Sequence, residues 1–371
     1  MRRPRPSCSR IFSTGRAVRK WIVRVAVLAV VALIAAGTAV WALRTRALTP
    51  HRGYEGVEQF VEVPLGAGPR TIGARLVAAG VVRDDLTFRV ALWLTGHARA
   101  LKAGEYRFAA SMNAVQVAEL LARGEIYTRP VTFREGLTMA EMAEVYASSG
   151  LGTREAFLAA GKEASLIRDL DPAATDLEGY LFPDTYPVPR HMPAGPLVAQ
   201  MVRGFRAALT PALIARAAAD RLSVRQVVTL AALVEKETAQ DAERPIVAAV
   251  YRNRHRIGMA MQADPTVIFA LQRAGTWDGN LSRDDLAFDS PYNTYRYGGL
   301  PPGPIAAPGK RALEAVVAPA AVDYLYFVSR NDGTHVFAST LREHNQNVFE
   351  WQIKFFRDRR ARERTEGSGP P

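Results

Sequence analysis

Two carboxylates, Glu235 and Glu237, close a run that is otherwise apolar: Leu230-Ala-Ala-Leu-Val-Glu-Lys-Glu-Thr-Ala239. Val224, Val227, Val228, Leu230, Ala231, Leu233 and Val234 leave only a narrow polar strip at Arg225, Gln226, Thr229 and Lys236. That pattern marks a buried helix. Ser223 with Gln226 three residues on forms the capping-box pattern that starts it. Acids at the end of a buried helix are costly unless paired, neutralised or hydrated. Burial lifts a carboxylic acid's pKa toward a value suited to proton donation. General acid–base work on one proton is therefore the chemistry on offer. Helical spacing does not choose between the acids. Glu237 continues the row Leu230, Leu233, Val234, and Glu235 continues Val227, Val228, Ala231. A plainer alternative has one or both paired with Arg244 or Arg254 at the edge of the core.

The elements around this helix must position it. Asp241-Ala-Glu-Arg-Pro245 opens a second helix, with Pro245 in its first turn and Ile246, Val247, Val250, Tyr251 and Arg254 as its inner stripe. A loop over residues 258–267 carries Gln262 and Asp264. Residues 290–304 are too rich in Gly and Pro for a helix and expose Tyr292, Asn293, Tyr295 and Tyr297. Residues 323–328 and 334–337 read as a hairpin about Asn331-Asp-Gly333, and a helix near 345–357 follows. Upstream, residues 177–187 are aromatic, Pro-rich and acidic. They form either a packed loop or a sugar cleft lined by Glu178, Tyr180, Asp184 and Tyr186. Residues 196–218 return to helical spacing.

The chain has 371 residues, enough for two or three domains, and a formal net charge of +12. The positive charge gathers at the two ends, which argues against a nucleic-acid surface. Residues 25–43 are uncharged and mostly apolar, with Trp21 and Trp41 near the ends, a length that suits a bilayer-spanning helix. Basic residues before the run outnumber those just after it, so the N-terminus is expected in the cytoplasm and the rest outside. A cleaved signal peptide is the alternative, but the small residues at 35–39 lie inside the run. Cys8, the single cysteine, falls on the cytoplasmic side, which excludes a disulfide framework outside. The six His lack the spacing of a helical metal pair, so neither a catalytic metal nor a cofactor is expected.

A strand, a Gly turn, a Thr-preceded helix and a closing Gly occur twice, at 61–80 and 131–150. In the second copy Thr138 and Glu141 form a capping box. Such short units resemble LysM-like modules, a fold associated with N-acetylated glycans. A spacer that binds nothing is the alternative.

The motifs Glu235-Lys-Glu-Thr-Ala239, Glu243-Arg244, Asn253-Arg254, Gln262-Ala-Asp-Pro-Thr266, Tyr292-Asn-Thr-Tyr295, Gly299-Leu-Pro-Pro-Gly303 and His344-Asn345 occur in one order. They closely resemble the endolytic murein transglycosylases (MltG, or YceG-like). The resemblance implies an α+β chain: a single transmembrane helix, a small LysM-like α+β domain, then a mainly helical, lysozyme-like catalytic domain with a β-hairpin. The expected boundaries are 1–20 for a cytoplasmic basic segment, 21–43 for the membrane helix and 55–150 for the LysM-like region. The catalytic domain takes 151–357, and 358–371 form a disordered basic tail. The resemblance further implies an enzyme of the cytoplasmic membrane that cuts nascent peptidoglycan strands internally. The cut falls at the β-1,4 bond between N-acetylmuramic acid and N-acetylglucosamine, without water, and leaves 1,6-anhydro ends. Its partners are glycan strands, the membrane and peptidoglycan synthases. Glu237-Thr-Ala239 also looks like the Glu-Ser-Ala of the soluble lytic transglycosylases, and that likeness selects Glu237 as general acid and then base. Glu235 is the runner-up or a neighbour that raises the pKa of Glu237. Gln262, Asp264, Tyr292 and Asn293 are supporting residues, and Glu178, Tyr180 and Tyr295 are sugar contacts. The competing functions are a hydrolytic muramidase using Asp264 or Asp184 as second carboxylate, and a non-catalytic glycan-binding scaffold.

Overall fold

A computed structural model describes residues 14–359. The basic residues before 14, Cys8 and most of the expected tail lie outside the described residues. Helix α1 (Thr14–Leu48) is unbroken and apolar, and its segment Arg19–Leu48 is long and apolar enough to cross a membrane. The chain then divides into two compact units, Met1–Thr128 and Arg129–Pro371. The two compact units meet between 128 and 129, so the second copy of the repeated unit falls in the second.

In the first unit, β1 (Gln59–Val63) leads to α2 (Pro69–Ala78) and α3 (Asp85–Thr95), and the chain returns in β2 (Gly104–Phe108) before α4 (Ala114–Arg123). β1 and β2 are antiparallel, with Val61 opposite Tyr106 and Val63 opposite Gly104. Inward Val61, Val63, Tyr106 and Phe108 pack with Ile72, Leu76, Phe88, Val117 and Leu121 into a core of their own. Alternation along the strands and helical spacing along α2–α4 place these side chains on one side. The last turn of α1 joins this unit: Ala47 is fully buried, and Arg46 reaches Asp84, the N-cap of α3, at 2.6 Å.

The second unit repeats the order. β3 (Thr128–Phe133), α5 (Met139–Ser148), α6 (Arg154–Gly161), β4 (Asp184–Pro189) and α7 (Ala194–Ala208) follow, and β3 pairs with β4. Gly66 and Gly136, at matching turns, both have φ near +77, a region that favours glycine. The sequence revealed only the first half of this larger repeat.

The segment expected as one helix over 196–218 is broken. Thr210 caps α8 (Pro211–Ala219), because Pro211 has no N–H to continue α7. Ser223 and Gln226 close their capping box and start α9 (Val224–Glu237). Every residue from Val227 to Val234 is buried, among α8, α10 (Arg244–Arg256), α11 (Asp264–Ala274) and α12 (Lys310–Val317). Each Leu or Val so buried contributes about 1.5–3 kcal/mol. β5 (Tyr326–Ser329) and β6 (His335–Ala338) form the expected antiparallel hairpin. α13 (Leu341–Val348) starts four residues before the expected helix, capped by Thr340.

Candidate active site

Glu237 is the last residue of α9, and Thr238 already leaves helical geometry. Tyr251, one turn from the end of the inner stripe of α10, donates its hydroxyl hydrogen to Glu237 Oε1 at 2.6 Å. The other Glu237 oxygen has no hydrogen bond among the described residues, and the residue keeps partial access to solvent. Burial pushes the Glu237 carboxyl up, and the nearby negative charge of Asp264 adds to this. Tyr251, His335 and Arg254 work in the opposite direction. The negative end of the α9 dipole also disfavours a carboxylate there. The net effect is a carboxylic acid with a raised pKa and one free oxygen.

Glu235 has a different environment. Its side chain is 5% exposed; Oε1 accepts from Arg244 Nη2 at 2.8 Å and Oε2 from the Gly309 amide at 2.9 Å. Burial raises its pKa, against the Gly309 amide and the Arg244 guanidinium, which favour the charged form. Arg244 also binds Asp241 at 2.6 Å. Both Glu235 oxygens therefore hold the chain together, tying the end of α9 to α10 and to the start of α12. The pairing with Arg244 left open by the sequence applies to this acid.

Asp264 is not in a loop. It begins α11, with Pro265 in the first turn, and Tyr295 donates to its Oδ1 at 2.5 Å. Gln262, in the loop just before, is exposed and has φ of +48. A non-glycine residue there costs about 1 kcal/mol and marks a backbone held by its surroundings. Arg254 does the holding. Its Nε donates to Leu325 O at 2.6 Å, and its Nη1 donates to Met261 O at 2.7 Å and to Ala260 O at 3.3 Å. One buried guanidinium thus joins α10, the loop of Gln262 and the β5 hairpin, and its charge faces Glu237. Thr294 adds a second tie, accepting from the Ala263 amide at 3.0 Å and bonding Thr266 at 2.9 Å.

The remaining expected residues lie elsewhere. Asn293 is buried, and its amide donates to Leu286 O at 3.0 Å and Phe288 O at 2.8 Å, so it shapes its own loop. Tyr180 is buried, with its hydroxyl on Asp171 at 2.5 Å. Tyr186 is likewise internal, donating to Phe182 O. Tyr292 packs on Phe269 with ring centres 5.0 Å apart. Glu178 is buried against the start of α5. Asp184 is exposed on β4 and borders a cavity that also touches Glu235.

The sequence places Tyr251 only in an inner stripe, and gives Arg254 besides as a candidate partner of the two acids and part of the Asn253-Arg254 motif. Their polar ends at an apolar face, next to the acidic end of α9, were the available signal. His335 was missed as a site neighbour. Its Nδ1 lies 2.7 Å from Glu243, a contact across 92 positions that no local pattern reveals.

The YceG-like family model matches residues 61–350, which include every group just described around Glu237. The chain belongs to the YceG-like family. This YceG-like chain is 30% identical over 302 residues to the endolytic murein transglycosylase of Bacillus subtilis (strain 168), covering 77% of itself and 82% of that relative. It is also 30% identical over 320 residues to the endolytic murein transglycosylase of Streptococcus pneumoniae strain D39, covering 78% of itself but 58% of that longer protein. A crystal structure of a yceG-like protein from Listeria monocytogenes superposes with a TM-score of 0.54 at 29% identity, covering 78% of this YceG-like chain and 98% of the other.

Proposed function

We propose that this protein is a peptidoglycan lytic transglycosylase that cuts glycan strands internally, with Glu237 as its single acid–base group. The observation that carries the reading is the Glu237 carboxyl itself: raised in pKa by burial, held by Tyr251 at one oxygen and open at the other. The names of the relatives supply the polymer and the class of cut. The bond is the β-1,4 linkage between N-acetylmuramic acid and N-acetylglucosamine.

The steps follow from one proton. Protonated Glu237 gives its proton to the glycosidic oxygen, and the bond from that oxygen to the anomeric carbon breaks. The anomeric carbon develops oxocarbenium character, which the Glu237 carboxylate, now negative, offsets. The 6-hydroxyl of the same muramic acid attacks that carbon, and its proton returns to Glu237. The products are a free 4-hydroxyl and a 1,6-anhydro end, with no water consumed. In this reading Asp264 and Tyr295 border the reacting sugars and Gln262 contacts an acetamido group, supported by the Tyr295–Asp264 bond and the exposure of Gln262 beside them.

Helix α1 anchors the protein in the cytoplasmic membrane with its N-terminus inside, supported by its apolar length and the charge difference across it. The β1–α2–α3–β2 order, with its antiparallel strand pair, supports a LysM-like module that holds the strand.

A hydrolytic muramidase is the second reading, because Asp264 lies close enough to raise Glu237 electrostatically. Hydrolysis requires such a second carboxylate as nucleophile or base. Digestion of purified glycan strands separates the two. Anhydro ends support the first reading, and reducing ends would replace it with the second.

A further inference from the structure

A cavity of about 610 Å³ lies within the second unit, lined by Glu178, Asp176, Phe269, Trp277, Arg273 and Lys162 among others. Its volume falls in the range of small-ligand sites. Glu178 is 7% exposed and makes no ion pair among the described residues. Its carboxylate accepts only the Met139 amide at the start of α5, at 3.0 and 3.1 Å. Asp176, with a side chain 21% exposed, lies 4.0 Å from Arg273. An isolated buried carboxylate is costly, and a cation seated beside it offsets that cost. Phe269 and Trp277 provide aromatic walls, which favour an ammonium group. Lys162 is exposed and stands without an ion-pair partner among the described residues, and Arg273 lies over the Phe269 ring at 5.6 Å. The cavity therefore presents acids and aromatic rings inside with cations at its edge. A ligand bearing both an ammonium group and a carboxylate complements it.

Helix α11 connects this cavity to the proposed catalytic group. Asp264 begins the helix, and Phe269 and Arg273 lie further along it. Asp264 and Arg273 are about 13 Å apart along the axis. That is the scale of one disaccharide plus a short side branch. We propose that the cavity binds the short peptide borne by a muramic acid residue of the strand, through the ammonium and carboxylate of its diamino acid. This rests on the reading of the substrate as peptidoglycan.

Burial, with the charges of Asp176 and Glu141, pushes the Glu178 carboxyl up to about 8, against the Met139 amide and Arg273. At neutral pH it is mostly protonated, so seating an ammonium group beside it releases a proton.

The test uses the full-length, detergent-solubilised protein carrying Glu237→Gln, which binds without turnover. It is titrated calorimetrically with the sugar-free tripeptide L-Ala-D-isoGlu-L-Lys in buffers of different ionisation enthalpy. Saturable binding with proton release is expected, weakened about tenfold or more by Trp277→Ala and by Glu178→Gln. The partly buried Trp277 supplies a variant that does not disturb the start of α5. In the active protein, Trp277→Ala is expected to raise KM for peptide-bearing strands, with kcat unchanged and with no effect on peptide-stripped strands. No saturable tripeptide binding, or wild-type affinity in both variants, would overturn the proposal. An equal KM change on stripped and intact strands would also overturn it. The titration does not depend on cleavage, so a failed peptide site and a failed catalytic reading give different results.

Discussion

The hydroxyl of Tyr251 donates to Glu237 Oε1 across 2.6 Å, between residues fourteen positions apart on successive helices. This bond favours the charged carboxylate, whereas burial and Asp264 favour the neutral acid. Removing the hydroxyl therefore raises the pKa of Glu237 further. Tyr251→Phe should fold, should reduce kcat about tenfold through loss of orientation, and should move the alkaline limb of the kcat–pH profile to higher pH. A fall in kcat with an unmoved profile would assign Tyr251 to packing alone.

Glu237→Gln retains the acceptor for Tyr251 and removes the proton. Glycan cleavage should fall by about 10²–10⁴-fold, the contribution of a positioned acid–base group. Stability should change in the other direction. A carboxyl whose folded pKa is raised binds its proton more tightly when folded, so stability is full below the ordinary carboxylate value of 4.5 and declines as pH rises above it. The melting temperature of Glu237→Gln should therefore match wild type near pH 4 and exceed it as pH rises above 4.5, until the folded carboxyl is ionised. A constant difference across that range would show that the acid is not strained by its site.

Glu235→Ala tests the opposite assignment for the neighbouring acid. It leaves Arg244, whose side chain is 7% exposed, with Asp241 as its close partner and the Gly309 amide without its carboxylate. Denaturant unfolding should show a loss of about 3 kcal/mol. Activity per folded molecule at low temperature should remain within a fewfold of wild type. Loss of activity without loss of stability would instead make Glu235 the acid.

Arg254→Lys keeps the charge and removes the fork. A lysine ammonium does not span carbonyls on both the Gln262 loop and the hairpin. Losing two charge-assisted bonds should cost about 2–4 kcal/mol. Hydrogen exchange should rise first at residues 259–263 and 325–328, and kcat should fall with it. Uniform exchange across the unit would refute the local tie.

The local devices were legible in the sequence because their parts are neighbours. The capping boxes at Ser223 and Thr138, the turn at Gly136 and the hairpin about Asn331 each lie within a few residues of chain. Pro265 is an equally local signal that Asp264 begins a helix, masked by the Gly258 and Gln262 texture that makes residues 258–267 read as a loop. The roles of Glu235 and Glu237 were not legible from spacing. Both continue apolar rows, and what separates them is a backbone amide 74 positions away and a tyrosine on another helix. Tyr180 and Asn293 have side chains typical of a sugar cleft. Their partners, Asp171 and the 286–288 backbone, became visible only once the chain was folded.

Helix α1 does not end in a linker. Its last turn is built into the first unit, with Ala47 enclosed and Arg46 bound to the cap of α3. A bilayer crossed by α1, as proposed, would hold that unit at a fixed height above the headgroups, with no leash to lengthen. Under the proposed function, only strands passing through that thin layer would come within reach of the unit.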